Sequence, residues 1–348
     1  MKEIRIEEIG GFCIGQTENA EAGTGCTVVI APQGMRAGLD VRGGGPASRE
    51  TQLLNPLMAA QVIHGIVLGG GSAYGLNAAG GVMKLLEERD IGLSVGPTRV
   101  PLVVQSDIFD LSVGNPFTRP DADMGYEAAK RALDAPNYRD GNFGAGCGAT
   151  VGKMGGRKTA MKTGIGSYAV QAGDLKIGAL IVLNAVGDIF DWKTGKQAAG
   201  VLTEDHSGFR RSADIMRERY EESLTAAETN RSEDISSESA GSTSSGSALT
   251  TNTTLGILFT NAYFEKSALC KIAGMGHDGY ARSINPVHTS GDGDSLYAVS
   301  TGDIKAPQDL VGVLGAEVVS EAILRAVKSA EGAFGMKAYR DLNFIETF

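Results

Sequence analysis

The sequence predicts a mixed α/β protein in which helices are layered on sheets. Six segments are β-branched and apolar over strand lengths, and five others repeat apolar residues at helical spacing. The two kinds do not alternate strictly, which argues against a simple doubly wound sheet and for helices packed on sheets. The chain, of 348 residues and 36.2 kDa, is long enough for one large domain or two modest ones, with a core that needs no staples.

In chain order, the run Cys-Thr-Val-Val-Ile-Ala predicts a strand at 26–31, and Val-Ile-His-Gly-Ile-Val-Leu another at 62–68. A helix is expected at 73–89, a strand at 101–105 and a helix at 122–135. The longest apolar strand signal lies at 176–187. Helical spacing returns at 209–227. Strands at 254–260 and 295–301 flank a helix at 264–273, and a last helix at 308–328 carries the stripe Val311, Leu314, Val318, Ile323 and Val327. Between 231 and 254, 13 of 24 residues are Ser or Thr, too polar to offset the entropy of ordering, so a flexible linker is expected there.

Composition excludes several classes. Hydrophobic residues at 42% and charged residues at 21% are those of a globular protein, not of a disordered or collagenous one. A net charge of −9 without a Lys/Arg cluster argues against a nucleic-acid partner. No apolar run approaches the roughly 20 residues of a membrane span, so no membrane partner is expected. The start, Met1-Lys2-Glu3-Ile4-Arg5-Ile6-Glu7-Glu8, lacks the apolar core of a secretory signal, and a cytoplasmic address is expected. Cys13, Cys26, Cys147 and Cys270 are scattered, without zinc spacing.

The 49 glycines are about twice the usual share and are clustered, which implies tight turns at several places. The clusters at 42–46, 69–75 and 148–153 resemble phosphate cradles, but none has the P-loop pattern, and Met154 stands where Ser or Thr is required. The second cluster follows a strand and opens a helix, where an anion can sit; close backbone packing explains its glycines better. His64, His206, His277 and His288 have no ligand spacing and no G-x-S-x-G partner, so structural or surface roles are expected. Asp292 and Asp294 lack the rest of a calcium loop.

The informative junction is Thr251-Asn252-Thr253-Thr254-Leu255, where the linker meets a strand. A hydroxyl there can attack the preceding carbonyl, and hydrolysis of the resulting ester leaves Thr with a free α-amine as its own base. A plain Ser/Thr linker ahead of a strand has the same spacing, so the pattern alone leaves both open.

Four runs together resemble the self-processing aminopeptidase family, which includes the L-aminopeptidase/D-amidase/D-esterase and the β-aminopeptidases. They are 252–257 (Asn-Thr-Thr-Leu-Gly-Ile), 42–51, 70–76 and 182–188, and they occur in the family's order from about Gly10 to the C-terminal helix. The resemblance implies an αββα sandwich related to the ornithine acetyltransferase fold. It implies one domain cleaved between Asn252 and Thr253 into an α chain, 1–252 with a flexible tail from about 228, and a β chain, 253–348. Thr253 matches the nucleophile and Asn184 the oxyanion-stabilising amide. Asp294 matches the acid that orients the amine. Asp292 stands where relatives have a hydroxyl, and Thr150 where some have a catalytic-site Tyr, both departures from the family's pattern. The expected function is hydrolysis of amino-terminal residues from small peptides, amides or esters with a free amino terminus, without a cofactor, by a homo-oligomer of αβ units. The alternatives are an ornithine-acetyltransferase-type N-acyltransferase and an uncleaved small-anion-binding protein.

Overall fold

The computed structural model describes residues 1–233 and 252–344. Ten strands lie on one hydrogen-bonded network. They are β1 (Lys2–Ile4), β2 (Cys13–Asn19), β3 (Thr24–Val41), β4 (Ala47–Arg49), β5 (Ile63–Gly69), β6 (Val103–Asp107), β7 (Ile165–Ala172), β8 (Leu175–Asn184), β9 (Thr253–Ala262) and β10 (Ser295–Ile304). The helices that matter here are α1 (Ala78–Glu88), α2 (Ala122–Asp134), α3 (Ser212–Glu233), α4 (Lys266–Ser283) and α5 (Gln308–Lys328).

The long strand β3 divides this network into two sheets. Its first half, through Ile30, pairs with β2 and β5, whereas Arg36 to Val41 pair with β10. Gly34, at φ +80°, lies in the irregularity between the halves, a backbone conformation that glycine adopts without strain. One sheet therefore runs β2-β3-β5-β6-β4 and the other β1-β7-β8-β9-β10-β3.

Alternation of side chains then builds the layers. Leu180, Val182, Leu255, Ile257 and Phe259 share a core with Val29, Ile66, Leu68 and Val104, between the sheets. Their strand neighbours Ile181, Leu183 and Leu258 pack with Leu269, Ile272, Val319 and Ile323 of α4 and α5. Val28, Ile30, Val67 and Val103 pack with Val82, Leu85, Ala128 and Ala129 of α1 and α2. The result is the αββα sandwich.

All six expected strands are present, and α5 has its expected bounds. Other elements differ for local reasons. The helix expected from 73 begins with a 3-10 turn, Ser72–Asn77, which passes so near the Gly70 carbonyl that a Cβ on Gly75 would lie 1.9 Å from its oxygen. The helix expected from 209 starts at Ser212, whose N–H and hydroxyl are held by buried Asp188, while Phe209–Arg210 pairs as a short strand. The helix expected to end at 273 continues to Ser283, burying Gly276, Gly279 and Tyr280. The expected linker is shorter at both ends: α3 reaches Glu233, and Asn252, Thr253 and Thr254 are buried. Its remainder, 234–251, lies outside the described residues. Among the described residues no helix is long and apolar enough to cross a membrane.

Register positions the site. β8 and β9 are antiparallel, with Asn184, the last residue of β8, opposite Thr253, the first of β9. Residues directly opposite on one face are within side-chain reach.

Candidate active site

Thr253 and Asn252 are almost fully buried, at 4% and 1% exposure. The Thr253 hydroxyl donates to the carbonyl oxygen of Asn252 at 2.5 Å, and the Gly293 N–H donates to the same oxygen at 2.7 Å. The Asn252 N–H in turn donates to the Gly291 carbonyl at 3.2 Å, so Asn252 forms a parallel bridge beside Asp292. A Cβ on Gly293 would lie 2.7 Å from the Thr253 Oγ1, which is why this loop position is glycine.

Both acids sit in the same loop. Asp294 accepts the Thr254 N–H on Oδ1 at 2.7 Å; its Oδ2 accepts the His288 N–H at 3.1 Å and lies 2.8 Å from His288 Nδ1. Asp292 accepts the Thr289 N–H on Oδ2 at 2.7 Å, while its Oδ1 is buried without a partner. Burial, and then the neighbouring Asp294, push the Asp292 carboxyl above the usual range.

The glycine cluster 42–46 holds this loop by backbone contacts. Gly45 donates to the Asp292 carbonyl at 2.8 Å and Arg42 to that of Asp294 at 3.0 Å, and a Cβ on Gly43 would sit 2.3 Å from the Asp292 oxygen. It is a clamp on protein backbone, not a phosphate cradle.

Asn184 faces a third group of residues. Its side-chain oxygen accepts from the Lys153 ammonium at 2.7 Å and the Thr150 N–H at 3.1 Å, with the Thr150 hydroxyl at 3.4 Å, and its Nδ2 donates to the Phe109 carbonyl at 3.2 Å. Lys153 also donates to the Asn184 carbonyl at 3.0 Å. Burial brings the Lys153 pKa down to about 7, although Asp292, Asp110 and Asp294 all pull it upwards. Asp110 accepts from the Thr24 hydroxyl and from the Gly71 N–H, each at 2.7 Å, and burial raises its carboxyl pKa. The anion considered for the second glycine cluster is thus an internal side chain. A Cβ on Gly70 would collide with Asp110 Oδ2 at 1.9 Å, and one on Gly148 would lie 2.5 Å from the Asp110 Cβ.

The structure therefore brings together Asn252, Thr253, Asn184, Thr150, Asp292 and Asp294. It adds Lys153, Asp110 and Gly293, to which sequence reasoning gave no role, and His288, for which it expected a structural or surface one. One signal pointed to Lys153: it ends the glycine cluster that also contains Thr150. Among the described residues no group of three or more His, Cys, Asp or Glu side chains is arranged to hold a metal ion.

A buried hydroxyl on the preceding carbonyl, an amide and a buried ammonium at the edge of an αββα sandwich invite comparison with known proteins. Residues 5–340 match the model of Peptidase family S58. The chain belongs to this family. An uncharacterized aminopeptidase of Mycobacterium bovis is 34% identical to this S58 chain over 363 residues, covering 97% of each. A 6-aminohexanoate-oligomer endohydrolase of a Kocuria species is 30% identical over 335 residues, covering 91% of this chain and 84% of that one. Among solved structures, a Burkholderia β-aminopeptidase shares the S58 chain's fold with a TM-score of 0.61 at 18% identity, covering 97% of this chain and 91% of the other. The L-aminopeptidase D-Ala-esterase/amidase of Ochrobactrum anthropi, described as a variant of the Ntn hydrolase fold, gives 0.60 at 16% identity, with 97% and 92% covered.

Proposed function

We propose that this S58 chain is made as a precursor that cuts its own Asn252–Thr253 bond, and that the freed Thr253 is the nucleophile of an aminopeptidase acting on small peptides, amides or esters. The observation that carries this reading is the pair of hydrogen bonds on the Asn252 carbonyl. One comes from the hydroxyl that would attack it and the other from a backbone N–H placed to receive the oxyanion.

In self-cleavage, Thr253 Oγ1 bonds to the Asn252 carbonyl carbon and its proton passes to the amide nitrogen. The C–N bond breaks, leaving an ester and a free amine. Water then adds to the ester, giving the Asn252 carboxylate and the Thr253 hydroxyl. The products, of 252 and 96 residues, stay together because β9 is hydrogen-bonded between β8 and β10 and its side chains fill both cores.

In turnover the α-amine of Thr253, with an unperturbed pKa of about 8, takes the hydroxyl proton as Oγ1 attacks the acyl carbon. Asn184 Nδ2 carries a second hydrogen for the substrate oxyanion. Thr150 and Lys153 hold the amide oxygen of Asn184, fixing which end of the amide faces the site, and the Lys153 charge adds to the field there. Asp294 orients the first residues of β9. Asp292, with its unpartnered buried Oδ1, receives the substrate's ammonium group. The scheme needs no cofactor.

The test is a matched pair of aminoacyl p-nitroanilides, free and N-acetylated, on the processed enzyme. A neutral acetamide leaves the Asp292 oxygen unpaired, at a cost of about 1–3 kcal/mol. The free substrate should therefore have a kcat/KM at least about tenfold higher. Equal values would contradict amine recognition and favour a general amidase or an acyltransferase.

A further inference from the structure

The geometry points to His288 as a positioning residue that aims the Asp294 carboxylate; this rests on the roles proposed above for Thr253 and Asp294. His288 has φ +58°, in the left-handed region that side-chain-bearing residues seldom occupy. Such a conformation persists where its surroundings over-determine it, and functional sites are where it clusters. Here the strained backbone brings two donors of one residue, the N–H and Nδ1, onto the same oxygen, Asp294 Oδ2, at 3.1 Å and 2.8 Å.

The ring is fixed from behind. His277 lies against it edge to face, with centroids 4.8 Å apart, and Tyr280 lies at 5.9 Å. Both belong to α4, and both are anchored: His277 through its Nε2 to the Asp40 carbonyl, Tyr280 through its hydroxyl to the Ser295 carbonyl. Burial lowers the His277 pKa to about 4, so this neighbour is an uncharged wall. The Nε2 of His288 is buried without a partner, whereas Nδ1 faces a carboxylate oxygen. A ring carrying one proton therefore carries it on Nδ1.

With Oδ2 gripped twice, Asp294 cannot rotate about its Cβ–Cγ bond, and Oδ1 stays on the Thr254 N–H at 2.7 Å. That bond is one residue from Thr253 Oγ1, so the orientation passes directly to the nucleophile. None of this touches the substrate, and the expected signature is a loss in kcat and in self-cleavage rate with little change in KM.

The test compares His288→Gly and His288→Asn with wild type in four measurements: self-cleavage rate after cell-free synthesis, kcat, KM and Tm. Glycine relieves the backbone strain but removes the ring donor. Tm should hold or rise, self-cleavage and kcat should fall about ten- to a hundredfold, and KM should stay within about threefold. Asparagine tolerates the same backbone and offers an N–H in place of Nδ1, so it should restore both rates to within about fivefold of wild type. Imidazole nitrogen NMR of the wild-type protein should show the proton on Nδ1. Wild-type rates in the glycine variant, an asparagine variant no better than glycine, or a proton on Nε2 would each overturn the inference. If the glycine variant does not fold, the asparagine variant and the NMR signature still decide. An active wild type with an equally active glycine variant fails this inference alone, whereas a wild type that neither cleaves itself nor hydrolyses fails the reading beneath it.

Discussion

Replacing Thr253 by alanine is expected to leave one intact chain of 348 residues, folded and without hydrolase activity. In the proposed mechanism self-cleavage and turnover both begin with attack by Oγ1, which lies 2.5 Å from the Asn252 carbonyl oxygen. The fold should survive, because the strand pairs of β9 with β8 and β10 are backbone bonds and the deleted atoms are one methyl and one hydroxyl. A cost of about 1 kcal/mol is the scale for so small a truncation. Serine, which keeps Oγ, should retain part of both activities. A denaturing gel and an aminoacyl p-nitroanilide assay read the result, and an alanine variant that is cleaved normally would remove Thr253 from the mechanism.

The second large effect is expected at Lys153. Lys153→Met should lower kcat about a hundred- to a thousandfold near pH 6, the scale for losing a preorganised charge or donor beside a developing oxyanion. Methionine fills a similar unbranched volume, so the variant removes the ammonium more than the packing. Its loss strips the 2.7 Å donor from Asn184 and leaves Asp110, Asp292 and Asp294 without the cation among them. The sign of the pH dependence follows from burial. With its pKa lowered to about 7, Lys153 is charged below that value and neutral above it. Wild type surrenders the advantage as pH rises, so the ratio of wild-type to variant kcat should be largest near pH 6 and shrink by about pH 9. A ratio that does not change with pH would show that the charge is not what matters.

Individual strands and helices were legible where a segment is apolar on one or both faces, whereas their order as αββα layers came from the family resemblance. The stripe Val311 to Val327 sufficed for α5, and the run through Ile181, Val182 and Leu183 sufficed for β8. Strands β2 and β7 were passed over because they mix Gly, Ser, Gln and Thr with few β-branched residues, and their place depends on neighbours distant in sequence. The second half of β3 was hidden by Pro32 and Gly34, which read as an ending but form an irregularity within a continuing strand.

The site divides in the same way. Thr253, Asn184, Asp292, Asp294 and Thr150 stood out through family resemblance, and register and loop packing gather them. Lys153 and Asp110 did not: Lys153 had only its place at the end of a glycine cluster, and a single Asp after a strand has no local signature. Only the assembled sheets show that the clusters at 69–75 and 148–153 close on Asp110, while the cluster at 42–46 closes on the loop that carries Asp292 and Asp294. His288 was read as structural for the same reason: its partner Asp294 is six residues away in a loop whose shape no spacing rule describes.

Everything proposed for the site begins at one bond, that between Asn252 and Thr253. N-terminal sequencing of freshly purified wild-type protein, with intact masses of both chains, tests it most directly. Two amino termini are expected, the original one and Thr253-Thr254-Leu255-Gly256, with a first chain ending at Asn252. A new terminus at Thr251 or Thr254, or a chain that stays at its full 36.2 kDa while hydrolysing substrate, would contradict it.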